Sequence, residues 1–516
     1  MDNGIGRWNY KQAYNNPKRT ALVYGERRIT YGELNERTNR LADALARRGV
    51  ERGDRVCILS TNSAEFLETM FAVAKLGAVF VPINFRLAGP EVAYVLGNAR
   101  PKVFCYSGNL AATVDAALAQ DGVGQLQLIA METADVPDGR EAFEDVLASG
   151  SPERVERDVD RGDLAMIMYT SGTTGRPKGA MLTHHNIESN NYNILSMGLG
   201  VNSYDITCTP APLFHIGGLA VHTLPLLFIG GTVVVLPTFD PAGTLQAMQD
   251  HKVTVQFLVP AMWAALTQVP NFDSYDTSAM RFGISGGAPC PIPVIEFFQS
   301  KGWAFTEGFG MTETCAGCTG LAMEDVVERA GSVGVPVLLV DAKVVDEVGE
   351  QVPAEAVGEL IVRGDNVFIG YWEMPDATAD AIRDGWFHTG DLAKVSEDGF
   401  ITLVDRKKDM IISGGENVYP IEVEQVLYRH PAIVDVAVIG VPHEKWGETV
   451  KAIVVPAADA SISEAEVIAF ARENLAAFKC PTSMETIDEL PRNATGKILK
   501  RALREQYTGR GEAVTR

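Results

Sequence analysis

The sequence predicts an α/β protein: a large N-terminal domain of mainly parallel sheets flanked by helices, a small β-barrel-like subdomain within it, and a small α+β C-terminal domain. Three observations lead there. Strand-like and helix-like segments alternate early in the chain, the pattern of a parallel sheet covered on both faces. Three apolar strands each run into a glycine-rich loop, in "MIMYTSGTTG", "MRFGISGGAP" and "WAFTEGFGMTE". From about residue 335 short β-rich runs replace the alternation. A chain of 516 residues has room for two to four such units.

Taken in order, Thr30 precedes "YGELNERTNRLADALARRG" as the N-cap of an amphipathic helix, with Glu33 at the capping-box position. "RVCILS" then reads as a strand, "AEFLETMFAVAKLG" as a helix and "AVFVPIN" as a strand. "PEVAYVLGNA" and "KVFCYS" repeat the order. The run "LAVHTLPLLFIGGTVVVLP", residues 219–237, approaches the length of a membrane span. Pro225 and Gly230–Gly231 divide it into a short helix and a β-branched strand, so it is read as core. "LLVDAKVVDEVGEQVPAEAVGELIVRG" has the short runs and turn residues of hairpins in a small barrel or sheet. The charged stretch "VDRKKDM" lacks apolar periodicity and suits an exposed hinge. The boundaries expected are 1–405 for the N-terminal domain, 406–409 for the hinge and 410–516 for the C-terminal domain.

Hydrophobic residues make up 46% and charged residues 22%, ordinary values for a globular enzyme. The net charge of -21 argues against nonspecific binding to nucleic acid or anionic membrane. No signal-peptide layout opens the chain, and seven scattered cysteines read as reduced thiols, so a cytoplasmic protein without a transmembrane segment is expected. Cys315 and Cys318 form a lone C-x-x-C with no second ligand pair, and neither metal nor redox chemistry is expected of them.

The stretch "YTSGTTGRPKGAML", residues 169–182, crowds hydroxyls, glycines and two cations at the end of a buried strand. Small residues let a ligand approach the backbone, hydroxyls and N–H groups donate, and Arg176 and Lys178 supply charge. That set suits a polyphosphate. The spacing differs from the G-x-x-x-x-G-K-[ST] of a P-loop, since only two residues separate Gly172 from Gly175 and Pro177 precedes the lysine. Ligands of open α/β sheets bind beyond the carboxyl ends of strands, so the three glycine loops can meet over one nucleotide.

With "TSGTTGRPKG", "APLFHIGG", "SGGAP", "GFGMTET", "WFHTGD", "DRKKDMIISGGENVYPIEVE" and "PRNATGK" in this order, the chain resembles the adenylate-forming superfamily. That superfamily contains acyl-CoA synthetases, aryl-CoA ligases, firefly luciferase and the adenylation domains of nonribosomal peptide synthetases. The resemblance covers nearly the whole chain. It implies a two-step reaction in which a carboxylate attacks the α-phosphate of ATP, giving an acyl-adenylate and pyrophosphate, and the thiol of coenzyme A then displaces AMP. It also implies a mobile C-terminal domain that rotates between the half-reactions.

The resemblance assigns roles residue by residue. Thr170, Ser171, Gly172, Thr173, Thr174 and Lys178 would hold the β- and γ-phosphates. Gly286, Gly287 and Ala288 would lie along the adenine. Thr312 would bond phosphate and Glu313 would ligate Mg²⁺, a hard cation that favours carboxylate and phosphate oxygens. Asp391 would accept from the ribose hydroxyls, and Arg406 would approach ribose and phosphates. His215 would border the acyl pocket, Gly414 and Gly415 would line the pantetheine tunnel, and Lys497 would bring a charge to the adenylation centre. Lys408 falls at the pivot position, with a solvated loop lysine as the alternative. Phe309 departs from the tyrosine common in the family and is read as packing.

An ATP-dependent acid:CoA ligase is therefore expected, with a fatty or aromatic acid as substrate and either a monomer or a homodimer as its state. The alternative is an adenylating enzyme that loads a carrier-protein thiol or forms an amide. No Asp stands in "APLFHIGGLAVH" to pair with a substrate ammonium, which disfavours an α-amino acid. The C-terminus lacks the S-K-L address, against a firefly-type role. A noncatalytic nucleotide-binding scaffold would be expected to lack Lys497 or Glu313, and both are present.

Overall fold

The strand–helix alternation of the N-terminal third builds a seven-stranded sheet. A computed structural model describes residues 2–133, 135–170, 177–288, 290–457, 462–492 and 498–508. The sheet runs Glu141–Ala142, Gln127–Met131, Val103–Ser107, Arg55–Leu59, Val79–Ile83, Leu164–Thr170 and Lys178–Thr183. All neighbours are parallel except the last pair. Helix Tyr31–Arg47 starts as expected: Thr30 Oγ1 accepts from the Glu33 N–H at 3.2 Å, and Glu33 accepts from the Thr30 N–H at 2.7 Å. Its Leu34, Leu41 and Leu45 are buried with Phe66, Leu67 and Met70 of helix Ala64–Lys75.

Residues 219–237 are core, as expected. Helix Leu224–Ile229 continues without a break from the π-helical turn Leu219–Thr223, so Pro225 follows a widened turn rather than opening a new helix, and Gly230 ends the run at φ +92°. Strand Thr232–Val235 follows, between Ile206–Thr209 and Thr20–Tyr24 in a four-stranded sheet. Among the described residues no helix is long and apolar enough to cross a membrane.

A five-stranded sheet carries the other two glycine loops on neighbouring parallel strands. Val255–Leu258, Phe282–Gly286 and Ala304–Phe309 lie side by side, with Gly286 opposite Gly308. The β-rich region then forms an antiparallel half-barrel sheet of Val340–Val345, Gly358–Gly364, Ile382–Arg383, Trp386–Val395 and Ile401–Arg406.

Beyond Arg406 a third five-stranded sheet, with helices Pro420–Leu427, Glu464–Asn474 and Lys500–Thr508, encloses its own core of Ile411, Val423, Leu427, Val436, Val450 and Val467. The junction differs in detail from an exposed hinge at 406–409. Arg406 closes a strand, Lys407 and Lys408 are exposed, and the Asp409 side chain is 12% exposed in an ion pair of 2.8 Å with Arg504. The pair forms because Arg504 comes from the last described helix, 95 residues further along. Asp405 accepts from the Ile421 N–H at 3.0 Å, and burial pushes its carboxyl up to about 6.

Candidate active site

The phosphate-loop residues that the structure describes flank a hairpin. Thr170 ends one strand, Lys178 begins its antiparallel partner, and the two pair directly. Ser171, Gly172, Thr173 and Thr174 lie outside the described residues, as does Lys497. The Lys178 ammonium sits 5.0 Å from the centre of the Tyr371 ring. The Tyr371 hydroxyl donates to Glu313 Oε1 at 2.9 Å. One tyrosine thus joins the loop lysine to the expected metal ligand, although "FIGYW" carries no marker of that role in sequence.

Glu313 is held by its surroundings. It lies in the single turn Thr312–Thr314, which is capped by the Met311 N–H donating to Thr314 Oγ1 at 3.0 Å. Its carbonyl accepts from the Phe368 N–H at 2.8 Å. Thr312 and Glu313 are both buried. Burial raises the Glu313 pKa, against the Tyr371 hydrogen bond and the charge of Arg406, while Asp391 adds to the rise. A desolvated carboxylate of this kind gains from a hard cation beside it. Among the described residues no cluster of three or more His, Cys, Asp or Glu could cage a metal by itself. One carboxylate completed by phosphate oxygens and water fits Mg²⁺, which is seldom held in an all-protein cage.

Asp391 and Arg406 oppose each other on neighbouring strands of the half-barrel, with Arg406 Nε 3.2 Å from Asp391 Oδ1. Asp391 is buried, and Thr389 fixes its backbone by accepting the Asp391 N–H at 3.1 Å. The ion pair presents a carboxylate and a guanidinium to one region, suited to ribose hydroxyls and phosphate. Both charges act on the Glu313 carboxyl, so the pair lies near it.

The loop at 286–288 leaves the strand next to the one that leads into Thr312–Thr314. A Cβ on Gly286 would stand 3.2 Å from the Gly308 carbonyl oxygen, and Gly287 takes φ +91°. Gly287 and Ala288 are exposed. Glu307 anchors the far end of this loop by accepting the Cys290 N–H at 2.9 Å. Burial pushes the Glu307 carboxyl up to about 7. Phe309 packs half-buried against the main core, as expected.

The sequence model described as AMP-binding enzyme matches residues 10–372, and that of the AMP-binding enzyme C-terminal domain matches 422–497. The chain belongs to the AMP-binding enzyme family. It is 43% identical over 504 residues to a feruloyl-CoA synthase of Amycolatopsis, covering 98% of this chain and 99% of that one. It is 38% identical to the long-chain-fatty-acid–CoA ligase FadD13 of Mycobacterium tuberculosis, over 93% of both chains. The crystal structure of ATP-bound MatB from Rhodopseudomonas palustris superposes with a TM-score of 0.90 at 36% identity, covering 98% and 99% of the two chains. This AMP-binding enzyme is an AMP-forming acid–thiol ligase that uses ATP, Mg²⁺ and coenzyme A.

The remaining positions of the AMP-binding enzyme divide into two groups. His215 is half-buried at the start of the turn Ile216–Gly218, its Nδ1 accepting from the Gly217 N–H at 3.2 Å. The Phe257 ring comes within 3.1 Å of the Cβ position on Gly217 and 3.4 Å of that on Gly286, so it bridges the His215 loop and the loop at 286–288. Gly414 and Gly415 stand elsewhere, at the tip of the hairpin Ile411–Ser413 and Glu416–Val418. Their φ values of +62° and +88° are those of a two-residue turn that glycine serves best. A Cβ on Gly414 would strike the Trp446 ring at 2.7 Å, whereas one on Gly415 would meet nothing within 4 Å. Cys315 and Cys318 are buried free thiols, and burial pushes Cys318 up to about 12, far from a reactive thiolate.

Proposed function

We propose that this ligase activates an aromatic acid and divides its residues by half-reaction. In the first, Thr170, Ser171, Gly172, Thr173, Thr174 and Lys178 hold the outer phosphates of ATP. Gly286, Gly287 and Ala288 take the adenine, and Asp391 with Arg406 takes the ribose. Thr312 donates to phosphate, and Glu313 holds Mg²⁺, which when bound neutralises phosphate charge. His215 borders the acid, and Lys497 brings an ammonium to the α-phosphate. In the second, the domain 410–516 turns on 406–409, and Gly414 and Gly415 line the path of the pantetheine.

The observation that carries this division is the chain of contacts Lys178–Tyr371–Glu313 beside the Arg406–Asp391 pair. It draws on three separate sheets, and the hairpin 411–418 contributes nothing to it. The aromatic substrate is supported by the 43% identity to a feruloyl-CoA synthase. A pyrophosphate-release assay over ring-bearing and long-chain acids tests it: ring-bearing acids should give the higher kcat/KM, and a clear preference for long-chain acids would refute it. Seven buried, free cysteines support a cytoplasmic setting, which cell fractionation would check. Light scattering against the chain mass of 55.8 kDa separates monomer from homodimer.

A further inference from the structure

Helix His184–Leu195 buries a polar face. Asn186, Asn190 and Asn193 stand at i, i+4 and i+7, the spacing that apolar side chains take where a helix faces a core, and all three are buried. A buried amide is costly unless it is hydrogen-bonded. Asn186 Nδ2 donates to the carbonyls of Asp365 and Val367 at 2.8 and 2.9 Å. Asn190 Oδ1 accepts from the Gly317 N–H at 3.0 Å, and its Nδ2 donates to the Ala220 carbonyl at 2.9 Å. Asn193 Oδ1 accepts from the Leu339 N–H at 2.9 Å.

Two of these asparagines lead to the turn that carries Glu313. Asn366 sits between the two carbonyls that Asn186 holds and is fully buried. Its Nδ2 donates to the carbonyls of Thr314 and Gly317, at 2.7 Å each. Gly317 is therefore gripped at its N–H by Asn190 and at its carbonyl by Asn366. The Phe368 N–H adds a bond of 2.8 Å to the Glu313 carbonyl from the same segment.

The grip has a strained backbone to hold. Cys315 and Ala316, between the gripped residues, take φ +50° and +93°, a region that residues with a side chain seldom adopt. The turn also folds back on the strand that feeds it, because a Cβ on Gly310 would overlap the Ala316 carbonyl. Such backbone persists only where its surroundings over-determine it, and it gathers at functional sites. Glu313 stands two residues before the first of the pair. Its place depends on amides bonded to the backbone of the turn rather than to its carboxylate.

We propose that Asn190 and Asn366 are positioning residues that hold the Glu313 carboxylate where it meets Mg²⁺. The proposal rests on the Mg²⁺ role given to Glu313 above. It is tested by ATP binding in a calorimeter with no acid present, so that nothing turns over, once with Mg²⁺ and once with EDTA. The ratio of the two affinities reads the contact between metal and protein. Asn366→Ala should cut that ratio by about tenfold or more, the scale on which residues that orient a metal ligand act. In a Glu313→Gln background the same substitution should leave the ratio unchanged, since a residue acting through Glu313 has nothing left to position. An undiminished ratio in Asn366→Ala overturns the proposal, and so does an equal fall in both backgrounds, which a merely structural role would give. Asn193→Ala breaks the bond of the same helix face to Leu339 and should keep the wild-type ratio; a fall as large as that of Asn366→Ala would mean general loosening and contradict the assignment. If Asn366→Ala does not fold, Asn190→Ser carries the same prediction through the N–H of Gly317. A wild-type ratio in Glu313→Gln alone would instead remove Glu313 from the metal, and the proposal with it.

Discussion

The nucleotide site and the 411–418 hairpin are built in opposite ways. Around Glu313 the polar groups are bonded to other elements, Tyr371 to Glu313, Phe368 to the Glu313 carbonyl and Arg406 to Asp391, and the two carboxylates are buried. At Gly415 the backbone faces open space. A preorganised charge cluster in a desolvated pocket stabilises developing charge without reorganising, the requirement of the adenylation step. A bare glycine turn on a separate domain asks only for clearance. The two half-reactions should therefore fail separately when either region is altered.

The largest effect is expected at Glu313. Glu313→Gln keeps the shape and removes the charge, so pyrophosphate release at limiting Mg²⁺ should fall about 10²-fold or more. A wild-type kcat there would remove Glu313 from the metal. Gly415→Leu comes next. Thioester formation from pre-formed acyl-adenylate should slow by roughly tenfold or more, because only glycine leaves that backbone uncovered, while adenylate formation persists. Equal damage to both steps would make Gly415 a folding residue.

Tyr371→Phe removes one hydroxyl and keeps the ring under Lys178. Hydrogen bonds to charged groups contribute about 1.5–3 kcal/mol, so a loss of roughly tenfold in the apparent Mg²⁺ affinity is expected. A Mg²⁺ titration of the pyrophosphate-release rate reads it, and an unaltered curve would reduce the Tyr371–Glu313 bond to packing.

The smallest effect concerns pH. The folded pKa of Glu307, near 7, lies above the ordinary glutamate value. The folded state therefore keeps a proton that the unfolded chain has released, and stability falls as pH rises from about 4.5 to about 7. Glu307→Gln should flatten that part of the Tm–pH curve. Parallel curves for variant and wild type would contradict a buried, proton-retaining Glu307.

What the sequence disclosed followed from local rules. The Thr30–Glu33 capping box spans three residues and was legible, and so were the strands that feed the three glycine loops. Contacts made across the fold were not. Tyr371 meets Glu313 from 58 residues away, and Arg504 meets Asp409 from 95, pairings that no local period encodes. Glu307 sits in "WAFTEGFG", where an acid in a strand reads as an exposed side chain until Cys290 is folded over it. His222 was hidden differently, in an apolar run whose burial was foreseen and whose imidazole was absorbed into it.

The division between a fixed adenylation site and a moving C-terminal domain is tested most directly by Lys497→Ala in single-turnover experiments on each half-reaction. Lysine carries a point charge on a flexible stem, and "NATGK" places it far in sequence from every phosphate loop. Adenylate formation should fall about 10²-fold or more, the scale of losing one electrostatic stabiliser. The same variant, supplied with pre-formed acyl-adenylate and coenzyme A, should form thioester at close to the wild-type rate. Comparable losses in both half-reactions would contradict the division.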